Sequence, residues 1–584
     1  MFTNAVAGGV LVASYIAVLI FQVNPQLPVV SVTALDWFGA VIAFYSPYLT
    51  VLLYFLILGR DLVSSLPLRP AWLSVRMLAW LGTVGAGAAS ALTWANLRVF
   101  SAVLGEDAIL RMRAGAIATT SAVVLLGVIA VVRYSFGRRG SRAVGALLVM
   151  TLLLSIGVPL VLRGPGEPAV RLPHRDTADP RTNPRLLASR VAFAPRVRVL
   201  ALDGASLGFI RQRVGAGQLP NFARMLDRGA VMDLATLTPT QAEPVWVAAA
   251  TGKSAEKNGV RSKVTYRVGD SDTDVADVLP RYCFAYAMPE QGFLQIAQPS
   301  SASLNARPLW EILADYGVTS GVAGWPLTYP AHAARGYIVS DNFDEAASSP
   351  LRLADARAAY PTTAVDVARE IFDEWLARPW QEVLPTLRGD GAEPGGLNRV
   401  RWDLAYQESA EALATQFSPK FTAVRYEGLA ELGHRGLLEA EPEVFGEGRR
   451  AGAEGSLLDQ YYAYLDAQIG DAMRELTPGD LLMVMSGFGM EPMSWMKRLR
   501  ARALGSPDLT GTHEPAPDGF LLAYGTNVAR GQFPRGSVAD LAPTVLYYLG
   551  VDVGRDMDGF PRTDLFAGTY LIEHPVRYVA THEN

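Results

Sequence analysis

Val199-Leu-Ala-Leu-Asp-Gly-Ala-Ser206 decides how the second half of this chain is read. An apolar run begins at Val197 and stops at Leu202, and an acidic residue and a glycine follow at once. A continuous apolar run of this length suits a strand buried on both faces. The pattern recurs at Ser320 to Gly324, Phe421 to Tyr426, Leu481 to Met485 and Gly519 to Tyr524, each run beside a polar or glycine-rich turn, with helical stretches between. Such alternation predicts an α/β sheet with helices on both faces. Ligands of these sheets bind outside the carboxyl ends of the strands, so Asp203, Trp325, residues 427–434 and the turn 486–490 are expected on one rim. Residues 266–305 and 345–400 interrupt the alternation and read as insertions that cover the rim.

Upstream the composition changes. Half of the 584 residues are hydrophobic, the mean hydropathy is +0.18, and the excess lies before residue 165. Five uncharged stretches near 5–24, 37–59, 77–97, 114–132 and 143–162 each approach the ~20 residues that a bilayer-spanning helix needs. The third and fourth are rich in Ala and Gly. The first lacks the basic start of a cleaved signal peptide and is followed by four more apolar segments, so it reads as retained. Residues 1–165 are thus expected to form an all-α bundle of about five transmembrane helices. Residues 163–196 hold six prolines and no apolar period, and 166–196 read as an extended linker to a domain at 197–584.

Arginine placement orients the bundle. Arg60, Arg69 and Arg76 lie between the second and third stretches, and Arg133, Arg138, Arg139 and Arg142 between the fourth and fifth. Both loops belong on the cytoplasmic side. Arg98, Arg111 and Arg113 oppose this, partly offset by Glu106 and Asp107. Five crossings from a cytoplasmic start put the C-terminal domain in a periplasmic or extracellular space. The one cysteine, Cys283, allows no internal disulfide and reads as buried filler. A net charge of -4 gives no electrostatic footprint for nucleic acid. The partner that composition implies is the lipid bilayer.

Seven blocks in order carry a resemblance. After Val199–Ser206 come Leu219-Pro-Asn-Phe-Ala-Arg-Met-Leu-Asp-Arg-Gly-Ala230, Pro244-Val-Trp-Val-Ala-Ala-Ala-Thr-Gly-Lys253, Leu309-Trp-Glu-Ile-Leu313 and Gly324-Trp-Pro-Leu-Thr-Tyr-Pro330. Gly511-Thr-His513 with Asp518-Gly519, and Asp540-Leu-Ala-Pro-Thr544 with Asp558-Gly559, complete the set. Over most of residues 197–565 they resemble the alkaline phosphatase superfamily, in its type I phosphodiesterase and nucleotide pyrophosphatase branch. The resemblance implies an alkaline-phosphatase-like sheet with two zinc-like ions beside a Ser or Thr nucleophile. Paired cations polarise phosphoryl oxygens and activate the attacking hydroxyl, which is why carboxylates and imidazoles must converge there.

Each implied position can be located. Asp203 keeps the first metal ligand. The nucleophile lies two residues before the proline that opens the next helix, and Pro244 puts it at Ala242, whose methyl group cannot attack phosphorus; Thr240 is the alternative hydroxyl. In Ala423-Val-Arg-Tyr-Glu-Gly-Leu-Ala-Glu-Leu-Gly-His434 the imidazole of His434 remains, and Ala430 replaces an aspartate. In Val484-Met-Ser-Gly-Phe-Gly-Met490, Gly487 and Phe488 stand where the family has Asp and His. His513 matches the closing histidine.

The residual metal ligands are therefore Asp203, His434 and His513, against losses at Ala242, Ala430, Gly487 and Phe488. One ion site keeps two imidazoles and the other only Asp203. Catalytic zinc usually has three protein ligands, so at most one zinc or manganese is expected, weakly held. A rewired site would need Glu431 or Glu427 as a third ligand and Thr240 as nucleophile, with the bulk of Phe488 against it. His434 and His513 are open to a second reading as structural histidines. His174, His332, His574 and His582 read as surface residues, and Trp246 and Trp325 as core.

Three functions fit. The first is a pseudoenzyme that binds a phosphorylated, lipid-linked or glycan ligand, or an envelope protein partner, at the membrane's outer surface. The second is an active metal-dependent hydrolase or phosphotransferase acting on an envelope phosphodiester. The third makes the helices the functional part and the outer domain an assembly surface; intramembrane acidic residues would favour it, and the five stretches contain none.

Overall fold

The computed structural model describes residues 1–63, 74–101, 103–135, 142–166, 195–269, 275–280, 285, 287–332, 334–344, 356–383, 397–446, 456–503, 505–514 and 516–583. Most of the expected linker at 166–196, Cys283, Arg138, Arg139, His174 and much of 345–400 lie outside them. The chain divides into two compact units, Met1–Val170 with Arg261–Pro299, and Arg171–Val260 with Ser300–Asn584.

The first unit contains the helices Phe2–Val23, Val32–Val63, Val75–Val99, Glu106–Ser135 and Arg142–Arg163. Four segments, Phe2–Val23, Val32–Val63, Glu106–Val131 and Gly145–Arg163, are long and apolar enough to cross a membrane. The third helix is not among them, because its Gly, Ala, Ser and Asn residues dilute the apolar run, so about five expected spans become four by this measure. Phe55, Leu56, Val124, Leu153 and Val161 stand exposed on these helices. So much outward apolar surface belongs against lipid. Small residues let the first helix approach its neighbours closely. A Cβ on Gly9 would lie 2.6 Å from Thr50 Oγ1, and one on Gly8 2.8 Å from Leu81 Cδ1.

Residues 261–299 pack within this helical unit. Ala276, Met288 and Leu294 share an apolar cluster with Phe21, Trp37 and Phe44, and the rings of Phe44 and Phe293 are 5.3 Å apart. Polar groups pin the contact. Asn24 Nδ2 donates to Val278 O at 2.7 Å, and Asn24 Oδ1 accepts from the backbone N–H of Asp277 at 2.9 Å and Val278 at 3.0 Å.

The second unit is built on a nine-stranded sheet. Its order from one edge is Gly531–Ser537, Ala230–Ala235, Asp518–Gly525, Leu481–Phe488, Val197–Leu202, Phe421–Tyr426, Ser320–Ala323, Gly336–Val339 and Ala359–Tyr360. Five adjacent strands, from Leu481–Phe488 to Gly336–Val339, run parallel. Alternate side chains of Val197–Leu202 enter different cores: Val197, Val199 and Ala201 pack on one face, Leu200 and Leu202 on the other. Period-two alternation with both faces covered is the arrangement the apolar runs required. Within 345–400 the described helix Thr362–Ala377 also belongs to this core, with Phe372 stacked on Trp402 at 5.6 Å.

Candidate active-site rim

Register sets the rim. Leu202 pairs with Tyr426, so Asp203 and Glu427 leave two parallel strands side by side. Asp203 is 1% exposed. Its Oδ2 accepts from Arg425 Nε at 3.1 Å and Nη2 at 2.5 Å, and its Oδ1 accepts from the indole N–H of Trp246. The carboxylate of the first metal-ligand position thus faces an internal cation. Burial raises the Asp203 carboxyl above its ordinary value, against the lowering pull of Arg425. Burial also opposes the charge on Arg425, yet Asp203 and Glu427 hold its guanidinium above the ordinary range, so it stays a cation.

The ion pair extends along the rim. Arg425 Nη1 lies 3.7 Å from Glu427 Oε2, and Arg399 Nη1 lies 3.5 Å from the same oxygen and 2.6 Å from Asp344 Oδ2. Glu431 pairs with Arg435 at 2.8 Å. Both carboxylates considered as third metal ligands are therefore engaged by arginines.

His434 is carried by the helix Gly428–Ala440. The start of that helix is held by Asp403, which accepts the N–H of Glu427 at 3.0 Å and of Gly428 at 2.7 Å. Burial pushes this carboxyl up to about 7, against the Tyr461 hydroxyl and the two N–H groups. His434 Nδ1 lies 3.0 Å from Gly511 O. A carbonyl can only accept, so Nδ1 carries a proton and donates it to Gly511 O. The ring of His513 is 5.0 Å from that of His434 and 5.1 Å from that of Phe488. The two histidines meet, and an aromatic ring packs on one of them.

The lost positions are filled. A Cβ on Gly487 would lie 2.2 Å from Val245 Cγ1, and Val245 is fully buried. A Cβ on Gly204, whose φ is +71°, would lie 3.2 Å from Ala430 Cβ and 3.3 Å from Met490 Cε, so Ala430 and Met490 both crowd the turn after Asp203. Phe488 is the last residue of its strand and pairs with Asp518. Ala242 opens the helix Ala242–Thr251 and packs against the apolar core. Thr240 is 2% exposed, and its hydroxyl donates to Leu237 O at 2.9 Å. Among the described residues, no three His, Cys, Asp or Glu side chains converge as a metal-holding group.

Sequence reading missed Arg425, Arg399, Val245 and Met490. Arg425 had a signal, since a charge inside an otherwise apolar strand requires a counter-charge nearby. Trp246 and Trp325 are core residues as expected, edge to face at 5.3 Å. His574 is exposed, but His582, expected at the surface, is buried and hydrogen-bonds Asp552 O at 2.9 Å.

The sheet and its rim define an alkaline-phosphatase-like α/β domain. A family model described as type I phosphodiesterase / nucleotide pyrophosphatase matches residues 197–506, and the chain belongs to that family, one of metal-dependent phosphodiesterases and pyrophosphatases. Among solved structures, inactive murine ectonucleotide pyrophosphatase / phosphodiesterase 5 in complex with AMP is similar at 14% identity and TM-score 0.37, covering 64% of this chain and 100% of that one. The human protein of the same name is similar at 13% and 0.38, covering 64% and 99%. A mutant of the alkaline phosphatase PafA is similar at 11% and 0.39, also covering 64% and 99%. A search of curated proteins finds no match.

Proposed function

We propose that this chain is a membrane-anchored pseudoenzyme whose C-terminal domain binds rather than hydrolyses, with a phosphorylated or lipid-linked ligand or an envelope protein as its partner. The observation that carries this reading is the buried Arg425–Asp203 pair, 2.5 Å across, which gives a metal-ligand carboxylate a cation made of protein. The donors do not fit a two-ion centre: Asp203 is engaged, Gly487 and Phe488 bring no ligand atom, and Val245 occupies the space beside Gly487. His434 and His513 are left for at most one weakly held zinc or manganese.

One observation favours a rewired enzyme as the second reading. The Nδ1 proton of His434 is used on a carbonyl, the kind of partner that the second ring N–H of a metal-bound histidine commonly takes. Hydrolysis separates the two. The purified full chain is expected to cleave generic phosphodiesters and phosphomonoesters no faster than its His513→Ala variant. Clear turnover abolished by His513→Ala would establish the rewired enzyme, with Thr240 and Glu431 the next residues to replace.

The arginine-rich loops support an outer location for the domain, provided that Val75–Val99 crosses with the other four helices. A reporter active only outside the cytoplasm should then work when fused after Asn584 and stay silent near Arg139. The reverse pattern would overturn both the five crossings and the outer location.

A further inference from the structure

We propose that the helix Trp495–Ala503 docks the C-terminal domain onto an anionic phospholipid surface. Trp495, Met496 and Leu499 are 68%, 64% and 60% exposed. Their i, i+1, i+4 spacing puts them on one side of a helix with about 3.6 residues per turn. Folded domains seldom leave such a stripe in water unless something covers it. Exposed Arg500 and Arg502 fall on opposite flanks of the stripe by the same periodicity. The other two cations turn back onto their own domain: Lys497 Nζ donates to Glu514 O, and the Arg498 guanidinium lies over the Phe445 ring at 5.0 Å. The helix has no acidic residue.

An apolar stripe edged by arginines, with a tryptophan in it, is how a helix lies among lipid headgroups: the apolar side enters the acyl boundary and the cations meet phosphate. Charge complementarity therefore selects an anionic lipid surface. A bilayer is also at hand, since the chain carries four helices able to cross one. The helix follows the short strand Glu491–Pro492, which pairs with Gly511–Thr512. It is thus an excursion from the chain between Phe488 and His513, tied back through Lys497 to Glu514, the neighbour of His513. The inference is independent of whether the rim is catalytic.

The test uses the full chain with Cys283→Ser and Met496→Cys, labelled at position 496 with an environment-sensitive fluorophore. It is placed in nanodiscs of phosphatidylcholine alone, or with phosphatidylglycerol as about a third of the lipid. In the anionic discs, emission is expected to shift to the blue and to be quenched by spin-labelled lipid. The double change Arg500→Glu and Arg502→Glu is expected to lower the docked-to-free ratio at least about thirtyfold. A label at Arg474→Cys, on another exposed helix position, should stay water-like, and Leu499→Cys replaces Met496→Cys if that variant does not fold. Water-like emission in both lipids would overturn the proposal. So would a blue shift that persists in detergent without lipid, which would indicate a protein partner or a second copy.

Discussion

Replacing Arg425 by Met is expected to destabilise the C-terminal domain by about 3–5 kcal/mol, because it strands the Asp203 carboxylate in the interior without its counter-charge. In a domain of this size, a loss of that order lowers the apparent Tm by roughly 4–6 °C. The carboxylate cannot escape by turning to water, since Asp203 is 1% exposed and tied to Trp246. Adding Asp203→Asn to Arg425→Met should recover most of the loss, because both charges are then gone and the amide oxygen still accepts the indole N–H. Breaking one half of a buried pair is costly, whereas replacing both halves is often close to neutral. Thermal unfolding of the four proteins decides the matter. If Asp203 instead served a bound metal, Arg425→Met would change the Tm little, and added zinc would raise it.

Gly487→Asp, the change that rewrites the lost ligand, should destabilise the domain by several kcal/mol rather than restore metal binding. Overpacking a close-packed core costs about 1–3 kcal/mol, and here a Cβ would sit 2.2 Å from Val245 Cγ1. An unpaired carboxylate in a strand whose eight residues are all buried adds its own desolvation cost. Trimming Val245→Ala in the same chain should return part of the loss. Hence the fourfold reversion Ala242→Thr, Ala430→Asp, Gly487→Asp and Phe488→His is expected to fail unless Val245→Ala and Arg425→Met accompany it, and single reversions should restore no metal binding or turnover because cooperating groups act as a unit. A Gly487→Asp protein with unchanged Tm would show that the space beside residue 487 is not filled as described.

These two positions also show what the sequence could and could not disclose. The sheet was legible because apolar runs such as Val197–Leu202 and Phe421–Tyr426 are local patterns, and a strand buried on both faces needs nothing beyond its own residues to be recognised. The replacements that the resemblance implies at Ala242, Ala430, Gly487 and Phe488 were read in the same way, each standing within a short ordered block. What filled the vacated space was not. Val245 reaches Gly487 across 242 residues of sequence, and the Arg425–Asp203 pair forms because strands 222 residues apart run side by side. Such contacts depend on strand order and register, which no window of the chain contains. The packing of 261–299 was hidden similarly: Met288, Phe293 and Leu294 announce a need for burial but not the surface that meets it.

Metal content of the purified full chain, after dialysis against a weak chelator, tests the central claim most directly. With Asp203 held by Arg425 and no ligand atom at Gly487 or Phe488, well under two equivalents of zinc or manganese should remain per chain. Two retained equivalents would mean that other ligands have replaced the lost ones, and would contradict the reading of this domain as a pseudoenzyme.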